Sequence, residues 1–168
     1  MRKLAIFVCL LAAVAVGDSQ SGRRAPGFSL PDSNFNQHDV NDYHGKWLLL
    51  EFMRTDCPHC KVLSKLLESK KAKFGAKADV LSIVIAPPDN QNTVKAYIAE
   101  QKITSPIVFD QGQVALSYFR ATPANPNFDT PHLFAIDPNG NIVHDWTQGE
   151  VEAAGFPAQL DALVMGKK

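Results

Sequence analysis

The chain has 168 residues, with 17 basic and 17 acidic side chains and a sequence pI near 7.0. No basic block stands out, which argues against nucleic acid as a partner. The length suits one domain with a proper core, and neither an internal repeat nor a low-complexity tract divides it.

Arg2 and Lys3 open the chain with positive charge, and residues 4–16 form a nearly unbroken apolar run of 13 residues. Ala15-Val16-Gly17 then sets small residues at the last positions before a cleavage point. This is the layout of a secretory signal peptide, expected to occupy residues 1–17. The run falls short of the roughly 20 residues that span a bilayer. Cys9 lies inside it, whereas a lipid anchor would need a cysteine just after the cleavage point. Cleavage would leave 151 residues with 15 basic and 17 acidic side chains, a net charge of −2.

Residues 18–24 read as a flexible lead-in, with one domain over 25–168. Residues 26–32 read as a short extended segment with turns, and residues 40–46 lead into the first core strand. Trp47 to Met53 is too apolar to be anything but a buried strand. The helix after it carries Val62, Leu63, Leu66, Leu67 and Phe74 at spacings of three, four and seven. Val80 to Ile85 is a second buried strand, stopped by Pro87-Pro88. Asn90 or Asn92 then caps a helix bearing Val94, Tyr97, Ile98 and Ile103. Residues 107–109 form a minor strand and 114–119 a short helix. Leu133 to Ile136 and Ile142 to Trp146 flank an Asn139-Gly140 hairpin tip. Residues 150–165 close the chain as a helix, interrupted near Gly155-Phe156-Pro157. Alternating strands and helices followed by a hairpin predict an α/β fold: a mixed sheet with helices on both faces.

Between the first strand and its helix stand Cys57-Pro58-His59-Cys60. Beyond the signal segment these are the only cysteines, and export would place them where disulfides persist. A bridge across two residues encloses almost nothing, so it is a poor staple and a plausible redox switch. Cys57 falls at the helix N-terminus, where unpaired N–H groups and the helix dipole favour a thiolate. As the more N-terminal and more exposed thiol it is expected to attack, with Cys60 resolving. Zinc needs four ligands, and no second CxxC or close His pair completes a site, so no metal is expected.

With these residues the chain resembles the thioredoxin superfamily, specifically the exported TlpA/ResA-like redoxins. The resemblance runs from about Ala25 to Met165. It rests on Ala25-Pro26-Gly27-Phe28-Ser29-Leu30-Pro31-Asp32, on Gly45 to Phe52 followed by the CPHC motif, and on Thr130-Pro131 before Leu133-Phe134-Ala135-Ile136-Asp137. Two positions depart from the pattern. Asp56 stands where a Trp usually precedes the first cysteine, and the Pro58-His59 pair is typical of the disulfide-introducing oxidase DsbA.

The resemblance implies a thioredoxin-like fold and an exported, periplasmic or otherwise extracytoplasmic thiol–disulfide oxidoreductase. It would act on cysteine-containing client proteins, be regenerated by a redox partner, need no cofactor, and work as a monomer. Glu51 lies six residues before Cys57, where thioredoxins carry a buried acid that relays a proton to the resolving cysteine. Burial would raise its pKa toward neutral, which suits a general base. Pro131 would be cis, leaving the Thr130 backbone to pair with an extended client, with Thr130 and His132 shaping substrate choice. His59 would favour the Cys57 thiolate and so make the disulfide more oxidising, against a modest opposing charge on Asp56. An oxidant or isomerase is therefore expected ahead of a reductant.

The alternatives are a reductase for cytochrome c maturation, a peroxiredoxin-like peroxidase, and a Sco-like copper-binding module. A peroxiredoxin wants a Thr three residues before its cysteine, and Thr55 is two before Cys57. Sco-type proteins space their cysteines by three residues. His38, His44 and His144 carry no ligand spacing, and Tyr118, Phe119 and Phe128 read as core or groove wall.

Overall fold

The computed structural model describes residues 21–126 and 128–166, so the expected signal segment lies outside the described residues. The chain begins with three short strands, β1 (Arg23–Arg24), β2 (Ser29–Pro31) and β3 (Gln37–Asp39), and a 3-10 turn at Val40–Tyr43. It continues through β4 (Trp47–Met53), α1 (Pro58–Phe74), β5 (Ala78–Ile85), α2 (Gln91–Gln101), β6 (Ile107–Asp110) and α3 (Gln113–Phe119). It closes with β7 (His132–Ile136), β8 (Asn141–Trp146), α4 (Gln148–Val151) and α5 (Phe156–Met165).

Six strands form one sheet in the order β1-β8-β7-β4-β5-β6, and β2 pairs with β3 apart from it. β4 runs parallel to β5 and antiparallel to β7, so the sheet is mixed as its sequence predicts. Both faces of β4 are covered, which explains an apolar run without polar alternation. Leu48, Leu50 and Phe52 point to one face, where Phe28, Val40, Phe134 and Tyr118 of α3 complete a core. Leu49 points to the other, against Leu63, Leu67 and Phe74 of α1 and Phe156, Leu160 and Val164 of α5. The pleat puts Glu51 and Met53 on that second face, beneath α1.

α1 opens on Pro58, which suits a first helical turn, and ends with Lys71 and Lys73, which suit a last one. Lys70 ties it to α5, donating to Asp161 at 2.7 Å and to the Pro157 carbonyl at 3.0 Å. Val62 departs from its predicted place in the apolar stripe: it is 70% exposed, because Cys60, Leu63, Ser64 and Leu67 take the inward face. In α2, Asn90 is the cap, its side chain accepting from the Asn92 and Thr93 N–H groups. Ile103 lies beyond this helix, which stops at Gln101 because Lys102 turns left-handed, although Ile103 still packs in the core. The β7–β8 hairpin turns on Gly140, at φ +85°. That left-handed backbone is what requires glycine there; a Cβ would also stand 2.8 Å from His44 Nε2, the tip of an exposed side chain that can turn aside.

Arg23 and Arg24 correct the expected lead-in. They pair with Ile142 and Asn141 as the outermost strand, and the Gly22 N–H donates to the Ile142 carbonyl at 2.8 Å. Their backbone groups cover the first two residues of the otherwise open edge of β8, so the folded domain starts before Ala25. The predicted closing helix is two helices, broken at residues 152–155, with Pro157 in the first turn of the second.

Candidate active site

β4 ends at Met53, and three residues later the chain enters α1 with Cys57 as its N-cap. The Cys57 Sγ accepts from the Cys60 N–H at 3.1 Å, so a helix-terminal donor already points at this sulfur. Cys57 and Cys60 form a disulfide across a Cα–Cα distance of 5.2 Å. Cys57 is half-buried and Cys60 is fully buried, an asymmetry that leaves Cys57 as the reachable sulfur.

The turn before Cys57 is pinned from below. Asp89, buried between β5 and α2, accepts from the Thr55 N–H at 3.2 Å and from the Thr55 hydroxyl. It also accepts from the Thr93 hydroxyl at 3.0 Å, which joins the turn to the start of α2. Asp56 points outward and takes a forked pair from Arg54, at 3.0 and 2.7 Å, so its charge is already matched.

Facing the cysteines is the loop before β7. The Thr130–Pro131 bond is cis, and the Thr130 carbonyl oxygen lies 3.8 Å from Cys57 Sγ. Arg54, Asp56, Cys57, Pro58 and Thr130 surround an open hollow over the sulfur. Arg54 and Thr130 also border a second hollow, walled by Ile85, Pro87, Pro88 and Phe128. Phe128 is held there by stacking on Phe119, at 4.7 Å between ring centres. His132, expected to help shape substrate choice, turns inward instead. It is buried, its Nε2 is 3.0 Å from Asp145 Oδ2, and it packs edge-on against Phe119.

Glu51 is fully buried. Ser82 donates to its Oε2 at 2.8 Å, and the Ser64 hydroxyl lies 3.1 and 3.0 Å from its two oxygens. Ser64 in turn accepts from the Tyr97 hydroxyl at 2.9 Å. Burial pushes the Glu51 carboxyl up to about 7, partly offset by the two serine hydrogen bonds. Ser64 is four residues beyond Cys60, so the carboxylate meets α1 one turn past Cys60.

His59 does not stand free beside Cys57. Its Nδ1 is 2.6 Å from Glu152 Oε1, in the break between α4 and α5, and both side chains are about half exposed. His38 meets Asp32, and His144 packs edge-on against Trp146, both apart from the cysteines.

Sequence reasoning missed Asp89, Ser64, Ser82 and Glu152. Ser64 and Ser82 each had a signal: one sits a turn from Cys60, the other interrupts the apolar strand of residues 80–85. Asp89 and Glu152 had none, because their partners are set by tertiary packing.

Residues 21–145 match the AhpC/TSA family. The chain is 30% identical over 134 residues to the thiol-disulfide oxidoreductase ResA of Geobacillus kaustophilus, covering 77% of this chain and 68% of that one. It is 24% identical over 147 residues to ResA of Bacillus subtilis, covering 83% and 78%. Its fold matches the thioredoxin domain of a thiol-disulfide oxidoreductase from Bacteroides vulgatus with a TM-score of 0.70, at 21% identity, over 86% of this chain and 97% of that one.

Proposed function

The chain belongs to the AhpC/TSA family, and from that premise we propose that this TlpA/ResA-like thiol–disulfide oxidoreductase works through Cys57 and Cys60 outside the cytoplasm. The observation that carries the site is the half-buried Cys57 at the start of α1, bridged to a fully buried Cys60 and facing Thr130. Export is supported by the basic start and apolar run of residues 2–16. Among the described residues no helix is long and apolar enough to cross a membrane.

In the reducing direction the Cys57 thiolate attacks one sulfur of a client disulfide, and the other client sulfur leaves as a thiolate. Cys60 then attacks Cys57 Sγ, forms the 57–60 disulfide and expels the second client thiolate. Two electrons pass to the client, and the Cys60 proton goes to the Glu51 carboxylate. The oxidising direction is the reverse, with Glu51 returning the proton. The Thr130 backbone beside cis-Pro131 holds the client strand against Cys57.

The Pro58-His59 pair favours an oxidant or isomerase. The His59–Glu152 contact favours the second reading, a reductase, because it draws positive charge away from the thiolate. A peroxidase is less well supported, since both the N–H and the hydroxyl of Thr55 are committed to Asp89 rather than to Cys57.

The test is the reactivity of single-cysteine variants with a disulfide-bonded peptide. Cys60→Ser should trap a mixed disulfide at Cys57, and Cys57→Ser should form none; trapping at Cys60 instead would reverse the roles. Equilibration with glutathione then fixes direction. A potential near about −120 to −180 mV means oxidant or isomerase, and one near about −270 mV means reductant.

A further inference from the structure

Four elements meet at the Glu51 carboxylate: β4, which carries it, α1 through Ser64, β5 through Ser82, and α2 through Ser64's partner Tyr97. Its hydrogen-bond partners are hydroxyls. Of the titratable groups near it, α2 brings Tyr97, whose own neighbour is Glu100; on α1, Cys60 lies one turn before Ser64 and packs in one cluster with Met53 and Tyr97. β5 opposes Glu51 with Ser82, and β7 opposes it with Leu133.

The direction of each hydroxyl follows from counting protons. A hydroxyl has one proton to give and two lone pairs to receive. The Tyr97 O–H donates to Ser64 Oγ at 2.9 Å, so the Ser64 proton must point elsewhere. It has two acceptors in reach: the Glu51 carboxylate at about 3 Å, and Met53 Sδ at 3.9 Å. With Glu51 ionised, Ser64 and Ser82 both donate to it. With Glu51 protonated, the carboxyl becomes a donor, and Ser64 can turn its proton to the Met53 sulfur. Tyr97, Ser64, Ser82 and Glu51 therefore all keep partners in both protonation states. A carboxylate that only holds elements together needs no such alternative acceptor.

We propose that Ser64 and Tyr97 are positioning residues for the proton step at Cys60: Tyr97 orients the Ser64 hydroxyl, and that hydroxyl holds Glu51 ready to take the Cys60 proton and give it back. This rests on Glu51 being the proton acceptor in resolution of the mixed disulfide. The bonds made and broken are those of thiol–disulfide exchange. Only the proton path is added, from Cys60 Sγ to a Glu51 oxygen whose charge Ser64 and Ser82 stabilise.

The experiment follows resolution of a peptide mixed disulfide against pH in the full chain, beside carbon-13 titration of the Glu51 carboxyl. The first attack by Cys57 is timed alongside, so that loss of folding shows as loss of both steps. Ser64→Ala should move the midpoint of resolution and the carboxyl titration together, upward by roughly one pH unit. Tyr97→Phe should move both the same way by less, and Ser64→Thr should restore the wild-type values. Glu51→Gln should abolish the pH step. If Glu51→Gln keeps that step, Glu51 is not the acceptor and the inference falls with it. If Glu51→Gln loses the step while Ser64→Ala and Tyr97→Phe keep the wild-type midpoint, Glu51 stands and the roles of Ser64 and Tyr97 are refuted.

Discussion

At the scale of single residues, the carboxyl of Glu51 has the clearest consequence. Burial raises it from an ordinary 4.5 to about 7. Between those values the folded chain keeps a proton that the unfolded chain releases, so this group makes stability fall as pH rises from about 4.5 to 7. Above pH 7 the whole penalty is present, on the order of 3 kcal/mol at most. Glu51→Gln stays neutral, so urea unfolding should show it more stable than wild type at pH 8 and nearly equal at pH 5. Identical pH dependence in the two proteins would refute a buried, raised carboxyl. Glu152 gives a smaller effect of defined sign. Glu152→Gln removes a negative charge from the His59 side of the cysteines, which stabilises the Cys57 thiolate and so the reduced form. The potential should then become less negative, by on the order of 10 mV given how exposed the pair is. Equilibration with glutathione measures it, and a more negative potential would show that the carboxylate acts in some other way.

Single residues also show what a sequence carries. The placement of Cys57, Cys60 and Glu51 was legible because it follows from local facts: a two-residue spacing, a helix start, and an acid inside an apolar run. His132 was not, since the same position beside Pro131 can face the cleft or the core. Packing against Phe119 and the contact with Asp145 decided for the core.

Elements were legible where period and punctuation agreed. β4, β5 and the Asn139-Gly140 hairpin appear as predicted because an apolar run or a turn pair settles each locally. Val62 misled because it lies beside the inward row of α1, and only the packed helix shows which flank is covered. Asp89 belongs to this scale, since it joins the start of α2 to the turn that presents Cys57. Asp89→Ala would leave the half-buried Thr55 donors without their acceptor, at a cost of about 1 kcal/mol. Chemical denaturation should show that loss, and hydrogen exchange should show the Thr55 amide newly unprotected. Wild-type protection at that amide would mean the turn is held by something else.

For the whole molecule, the class of fold could be read from the order of elements, but the ends of the domain could not. Nothing in Arg23-Arg24 reads as a strand; they become one because β8 offers an unpaired edge. Deleting residues 1–25 should therefore lower the unfolding temperature by several degrees through lost edge pairing and the lost contact of Arg23 with the Tyr118 carbonyl. Exchange at Cys57 should survive at temperatures where the shortened chain stays folded. A thermal scan unchanged by the deletion would return these residues to the role of a free leader.

The bridge between Cys57 and Cys60 spans a sequence separation of three, and β7, which supplies the facing loop, comes some seventy residues later. The thiol pair is therefore complete on a growing chain long before the cleft around it exists. Past residue 17 no third cysteine competes for either sulfur. Within that part of the chain Cys57 and Cys60 have a single intramolecular pairing open to them, and the exchange chemistry they perform on others has no wrong internal partner to offer them.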